Sequence, residues 1–216
     1  MDLQNLIRVW QEMDDGYSFA PAATESEIEQ TEAALGLEMP AVLRRLYLFS
    51  NGLNLVGGNL RVDPLQDRDG IIGLETVRLL VQEGGGPPPP REILEFGGNG
   101  SDEQFGIWLP AVQRPGFNHP IILIGEFDFD MLAIAGTSLI PFLYGWTAYY
   151  ALMYEVDAQV LDALGVPAAL RVSERYLDDE AFARIREHYD PGLPDYDPHP
   201  YQRGSNVAEL TAFFGG

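Results

Sequence analysis

Three observations predict an α+β fold: an antiparallel, meander-like sheet flanked by helices, with a helical C-terminal extension. Residues 24–53, TESEIEQTEAALGLEMPAVLRRLYLFSNGL, read as two short helices joined by a tight corner. Residues 92–109 read as two strands around the turn GGNGSD, in which Asn99-Gly100 suits positive backbone angles. Apolar runs at 120–125 and 127–135 then lead straight into a helix, without the alternation of strand and long helix that a parallel sheet requires.

In chain order, Leu3, Leu6, Ile7, Trp10 and Met13 fall at helical spacing and predict an amphipathic first helix. A basic front, an unbroken apolar centre and a small-residue cleavage site are all missing there, so the segment does not read as a secretory signal. Thr24 stands three residues before Glu27, the spacing of a capping box in which each side chain satisfies the other's orphan backbone donor. Ile28 and Leu35 mark the apolar side of that second helix, and Gly36 ends it. Pro40 fits the first turn of a third helix, which buries Leu43, Leu46 and Tyr47, and Asn51-Gly52 turns the chain away. Residues 53–65 predict short strands around Gly57-Gly58, and 74–82 a short helix. The run GGGPPPP, 84–90, excludes helix and central strand and reads as an exposed loop within one domain. Strands follow at 92–96, 104–109, 120–125 and 127–135, and a helix opens at Ser138 and runs to about Tyr154.

The stretch 131–154 carries no charge and is long enough to span a bilayer. Gly136, Thr137, Ser138, Pro141 and Gly145 interrupt it, so a buried strand followed by a core helix is the better reading. Beyond Glu155 the chain is acidic and helical: one helix carries Val156, Val160, Leu161 and Leu164, one capped by Asp178 carries Phe182, Ile185 and Tyr189, and a last one opens at Ser205. The division expected is a domain at 1–154 and a helical extension at 155–216 packed on the same core.

Composition limits the chemistry. The chain has 216 residues, enough to bury about 70% of its unfolded surface without staples. It has no cysteine, which removes disulfides, thiolate catalysis and cysteine-based zinc sites. It has no lysine; all 13 basic side chains are arginines. A Walker lysine, a Schiff base and a Ser–Lys dyad are therefore excluded. The formal charge is −20, with 33 acidic side chains. Such a surface repels nucleic-acid phosphates and anionic membranes and draws in basic partners. The expected setting is cytoplasmic.

The helix pair with its LG-x-x-x-P corner closing on Asn-Gly resembles the opening of the SUKH superfamily, specifically its Smi/Knr-like branch. Three further stretches are similar to that family in the same order: EFGGNGSDEQFGIWL at 95–109, HPIILIGEFDFDMLAIAG at 119–136, and TSLIPFL at 137–143. The resemblance covers roughly Leu6 to Tyr150 and departs at GGGPPPP and after Tyr154. It implies a non-catalytic protein-binding role, foremost that of a bacterial immunity protein that neutralises a toxin by direct binding. Some eukaryotic members are instead regulators of cell-wall synthesis and signalling, so a scaffold or regulator without a toxin is the alternative.

Candidate partner-binding residues are acidic or aromatic. In EFDFD, Glu126, Asp128 and Asp130 would share one face of a strand, with Phe127 and Phe129 on the other. Either a basic partner docks on that face or water solvates it. Asp102 and Glu103 close the GGNGSD turn, where a polar hairpin tip and a binding site are both possible. Tyr196 and Tyr201 lie in an acidic, proline-rich loop and suit either an interface or a folded-back loop. No catalytic residue, metal ligand or cofactor site is expected. His119, His188 and His199 lack metal-type neighbours at helical spacing, a calcium loop is incomplete, and no nucleotide or nucleophile motif occurs.

Overall fold

The computed structural model describes residues 1–13, 17–55, 60–66, 91–99, 103–125, 132–154, 158–171, 179–194 and 207–215. Helix α1 spans Leu3–Glu12, capped by the Asp2 carboxylate, which accepts from the Asn5 N–H at 2.8 Å. Strand β1, Ser18–Phe19, precedes α2, Glu25–Leu35, and α3, Ala41–Phe49. Strands β2 (Leu53–Leu55), β3 (Leu60–Val62), β4 (Ile93–Gly98), β5 (Glu103–Trp108), β6 (Ile121–Gly125) and β7 (Leu132–Gly136) follow. Then come α4 (Leu139–Met153), α5 (Ala158–Leu164), a 3-10 turn at Ala168–Leu170, α6 (Asp179–Tyr189) and α7 (Val207–Gly215). The seven strands pair in sequence order, every pair antiparallel, so the sheet is a meander beside helices and the fold is α+β.

The capping box forms as its spacing predicts. The Glu27 N–H donates to the Thr24 hydroxyl, and the Thr24 N–H donates to the Glu27 carboxylate at 2.6 Å. That backbone bond, then the Thr24 hydroxyl, holds the Glu27 carboxyl below its ordinary range. Gly36 ends α2 in the left-handed region at φ 67°. Pro40 lies one position earlier than expected, as the N-cap of α3. Ion pairs from Arg44 to Glu25 and Glu32 tie α3 to α2.

One face of the sheet, the front, joins the main core. Leu94, Phe96, Phe105, Ile107, Ile121 and Leu123 point there, against α1, α3 and the apolar helix α4. Phe105 meets Phe142 and Trp146 edge-on or tilted, with ring centres 4.9 and 5.5 Å away. Polar links align the helices: the Trp10 indole N–H donates to the Thr147 hydroxyl at 3.0 Å, and the Asn5 amide donates to the Tyr144 hydroxyl at 2.9 Å. Val160, Leu161, Leu164, Ile185 and Tyr189 from α5 and α6 join the same cluster.

The back face is mostly apolar too, with Glu95 and Gln104 as its buried polar members. Ile93, Trp108, Ile122, Ile124 and Leu132 lie there beneath Leu210 and Phe214 of α7. This explains the unbroken run of isoleucine and leucine in β6: a strand covered on both faces needs no polar alternation.

Two local expectations change. Gly97 and Gly98, read as part of the turn, belong to β4. A bulge between Glu95 and Gly97 lets the strand continue, and the backbone of β3 closes on it there. Residues 18–19, unassigned from sequence, add a two-residue edge strand paired with β2. Strand β7 begins at Leu132; the expected strand start at 127, the helix at 74–82 and the GGGPPPP loop fall outside the described residues.

Helix α6 and the residue after it are tied to β7 and to Thr137 just beyond it. The Arg186 guanidinium donates to the Ala135 carbonyl at 2.8 Å. The buried Asp190 carboxylate accepts from the Thr137 N–H at 2.7 Å and the Thr137 hydroxyl at 2.5 Å. The bond from Arg186 occupies one backbone acceptor of the edge strand. Ser138 occupies the N-cap of α4 but makes no side-chain capping bond. Among the described residues no helix is long and apolar enough to cross a membrane; α4 has 15 residues.

Candidate functional site

The meander sorts its connections between two ends. Leu55 pairs with Leu60, Gly98 with Gln104, and Ile124 with Leu132, so the β2–β3, β4–β5 and β6–β7 connections all leave the same end of the sheet. Glu103 is the direct cross-strand partner of Gly125, the residue before Glu126. That pairing puts the two backbones about 5 Å apart. Strand order therefore puts the strand ends that flank both acidic segments, Gly98 and Gln104 on one side and Gly125 and Leu132 on the other, at one rim of the sheet. Residues 56–59, 99–103 and 126–131 carry five carboxylates, Asp102, Glu103, Glu126, Asp128 and Asp130, and no basic side chain.

Of these, Glu103 lies in β5 by its backbone; Asp102, Glu126, Asp128 and Asp130 fall outside the described residues, as do Tyr196 and Tyr201. The proposed alternation of carboxylates along 126–130 lies outside them as well.

The arginines described do not offset the rim. Arg61, opposite Gly98, spends its charge on Asp63 at 2.6 Å. Burial pushes the Asp63 carboxyl above its ordinary range and outweighs the opposing pull of Arg61. Arg44 is held by Glu25 and Glu32, Arg171 meets Asp162 at 2.6 Å, and Arg8 and Arg184 meet carboxylates one helical turn away on their own helices. Arg114 stacks 3.9 Å from the centre of the Phe213 ring. Basic side chains here are dispersed among acids and rings, which is the opposite of a phosphate-binding stripe.

Sequence reading missed the buried polar residues. Glu95, at 4% exposure, sits on the back face of β4, opposite Gly106, and Gln104 is buried on the same face. Asp190 and Arg186 clamp β7 from 51 to 53 residues away. An acidic residue within the apolar stretch EILEF was the one local signal for Glu95; nothing local marks Asp190. His119 adopts φ 52°, and its Nδ1 lies 3.3 Å from the Trp108 carbonyl oxygen, at the end of the sheet away from the rim. Among the described residues no group of three His, Asp or Glu side chains is placed to hold a metal ion.

No protein-family model matches the chain, and no curated protein matches it.

Proposed function

We propose that this chain is a non-catalytic protein-binding module of SUKH-like type, an immunity protein that neutralises a basic toxin domain by capping it. The observation that carries the reading is the rim. Of the three hairpin connections that leave one end of the sheet, two carry five carboxylates in their sequence, 99–103 and 126–131, on a chain whose charge is already −20. Like charges brought together repel, and a cationic partner relieves that repulsion. On a nuclease, the same arginines and lysines that grip phosphate would grip this rim, and close charge pairs across an interface couple by about 1.5–7 kcal/mol. The order of motifs from Leu6 to Tyr150 favours holding a partner over transforming a substrate.

Co-purification from native cells, followed by co-expression, tests this. The expected result is a retained basic protein that arrests growth when produced alone and ceases to do so when this chain is produced beside it. Retention of no toxic protein, or arrest that persists despite a stable complex, would overturn the proposal.

A further inference from the structure

Helix α7 is attached to the molecule differently from every other helix. Helices α1, α4, α5 and α6 all contribute to the main core on the front of the sheet. Leu210 and Phe214 of α7 belong to a second cluster, separate among the described residues, whose floor is the back face: Ile93, Trp108, Ile122, Ile124 and Leu132. The flank is the β5–β6 connection. There the Gln113 N–H donates to the Phe214 carbonyl at 3.0 Å, Phe117 meets both phenylalanines of α7, and Arg114 lies over Phe213. The Phe214 ring stacks at a tilt on Trp108, 5.5 Å between centres.

We propose that α7 is a strap that opens as its own unit, baring an apolar, helix-receiving face while the main core stays folded. Three properties support this. The helix has nine residues, below the length at which an isolated helix holds in water, so it is helical because it is docked. Residues 190–206 separate it from α6, so its release need not pull on the clamp at β7. Among the described side chains its apolar anchors are few, Leu210, Phe213 and Phe214, and units with few buried anchors open below the global unfolding limit. The face it leaves would be rimmed by Arg114 and floored mainly by branched aliphatic side chains around Trp108, on the same sheet face as Glu95 and Gln104. That surface fits one amphipathic helix of the pattern Leu-x-x-Phe-Phe, the pattern α7 itself carries at 210–214. The strap is independent of the acidic rim.

Native-state hydrogen exchange on the full chain tests it. Amides of 207–215 should exchange roughly 100-fold or more faster than those of β4–β6, yet well below the rate of an unstructured peptide, through an opening insensitive to low denaturant. Leu210→Ala should speed exchange of α7 a further tenfold or more and leave β5 protected. A labelled peptide of sequence SNVAELTAFFGG should bind the full chain, and bind the Leu210→Ala chain faster. Exchange of α7 in step with β5, absence of any protection in α7, or failure of the peptide to bind either chain would overturn the proposal. If Leu210→Ala unfolds the whole molecule, β5 loses protection too, and α7 is then part of the global unit and the strap is disproved.

Discussion

Gly97→Ala is expected to destabilise the protein by about 3 kcal/mol or more, the upper end of overpacking costs. A methyl group built at Gly97 would sit 1.8 Å from the Arg61 carbonyl oxygen, 2.8 Å from its carbonyl carbon and 3.1 Å from Val62 Cα. All three obstacles are backbone of the neighbouring strand, which cannot rotate aside as a side chain does. Relief requires β3 to move from β4, which breaks the register Arg61–Gly98 and Val62–Gly97 and divides the sheet between its first three strands and its last four. For a chain of this size the loss corresponds to a fall in Tm of roughly 6–12 °C. Gly145→Ala is the control. Its new methyl would find only the Arg186 Cγ, at 3.9 Å, in an α4 that loses backbone freedom on folding. It should be neutral or add up to about 1 kcal/mol. Thermal melts of the two variants side by side separate close packing at Gly97 from a general dislike of substitution.

Asp190→Ala should cost about 3–5 kcal/mol. The carboxylate is 5% exposed and accepts two hydrogen bonds from Thr137, one to the backbone and one to the hydroxyl. Bonds to a charged acceptor contribute about 1.5–3 kcal/mol each, and removing the acceptor leaves buried donors unpaired. The loss is also local in character. Asp190 follows α6 directly, and α6 is tied to the edge strand β7 through Arg186. The alanine variant should therefore aggregate on partial denaturation as that strand loses its tie, whereas Asp190→Asn, which keeps one acceptor oxygen, should lose about half as much. Urea titrations with light scattering read both effects. An alanine variant within about 1 kcal/mol of the parent would show that the clamp contributes little.

These two residues also mark where sequence reading stops. The helices declared themselves through local chemistry: the spacing of Leu3, Leu6, Ile7 and Trp10, the Thr24–Glu27 box and the left-handed Gly36 each act within a few residues. The meander was legible as well, because apolar runs separated by glycine-rich turns leave an antiparallel sheet few alternatives. Gly97 was misread because its neighbours Gly98-Asn99-Gly100 give a strong turn signal, while the reason for glycine, the approach of β3, lies 36 residues upstream in sequence. Asp190 was invisible because its partner is 53 residues away. The second covered face was likewise hidden: β6 looked simply apolar, and only the position of α7 shows that it is buried twice.

The candidate site divides in the same way. Acidity at 102–103 and 126–130 was evident from composition, but as two unrelated patches. That the strand ends flanking them share one rim follows from strand order and from the pairing of Glu103 with Gly125, a property of register and not of either segment. Tyr196 and Tyr201 lie outside the described residues.

The salt dependence of association tests the central claim most directly. With the partner recovered by co-purification, its association rate with this chain should fall tenfold or more as salt rises from about 0.02 to about 0.5 M, as expected for electrostatically steered encounter. A chain with Asp102, Glu103, Glu126, Asp128 and Asp130 neutralised to their amides should associate slowly at both salt levels while keeping its fold. Equal rates for the two chains at low salt, with no response to added salt, would contradict an acidic rim as the surface that captures the partner.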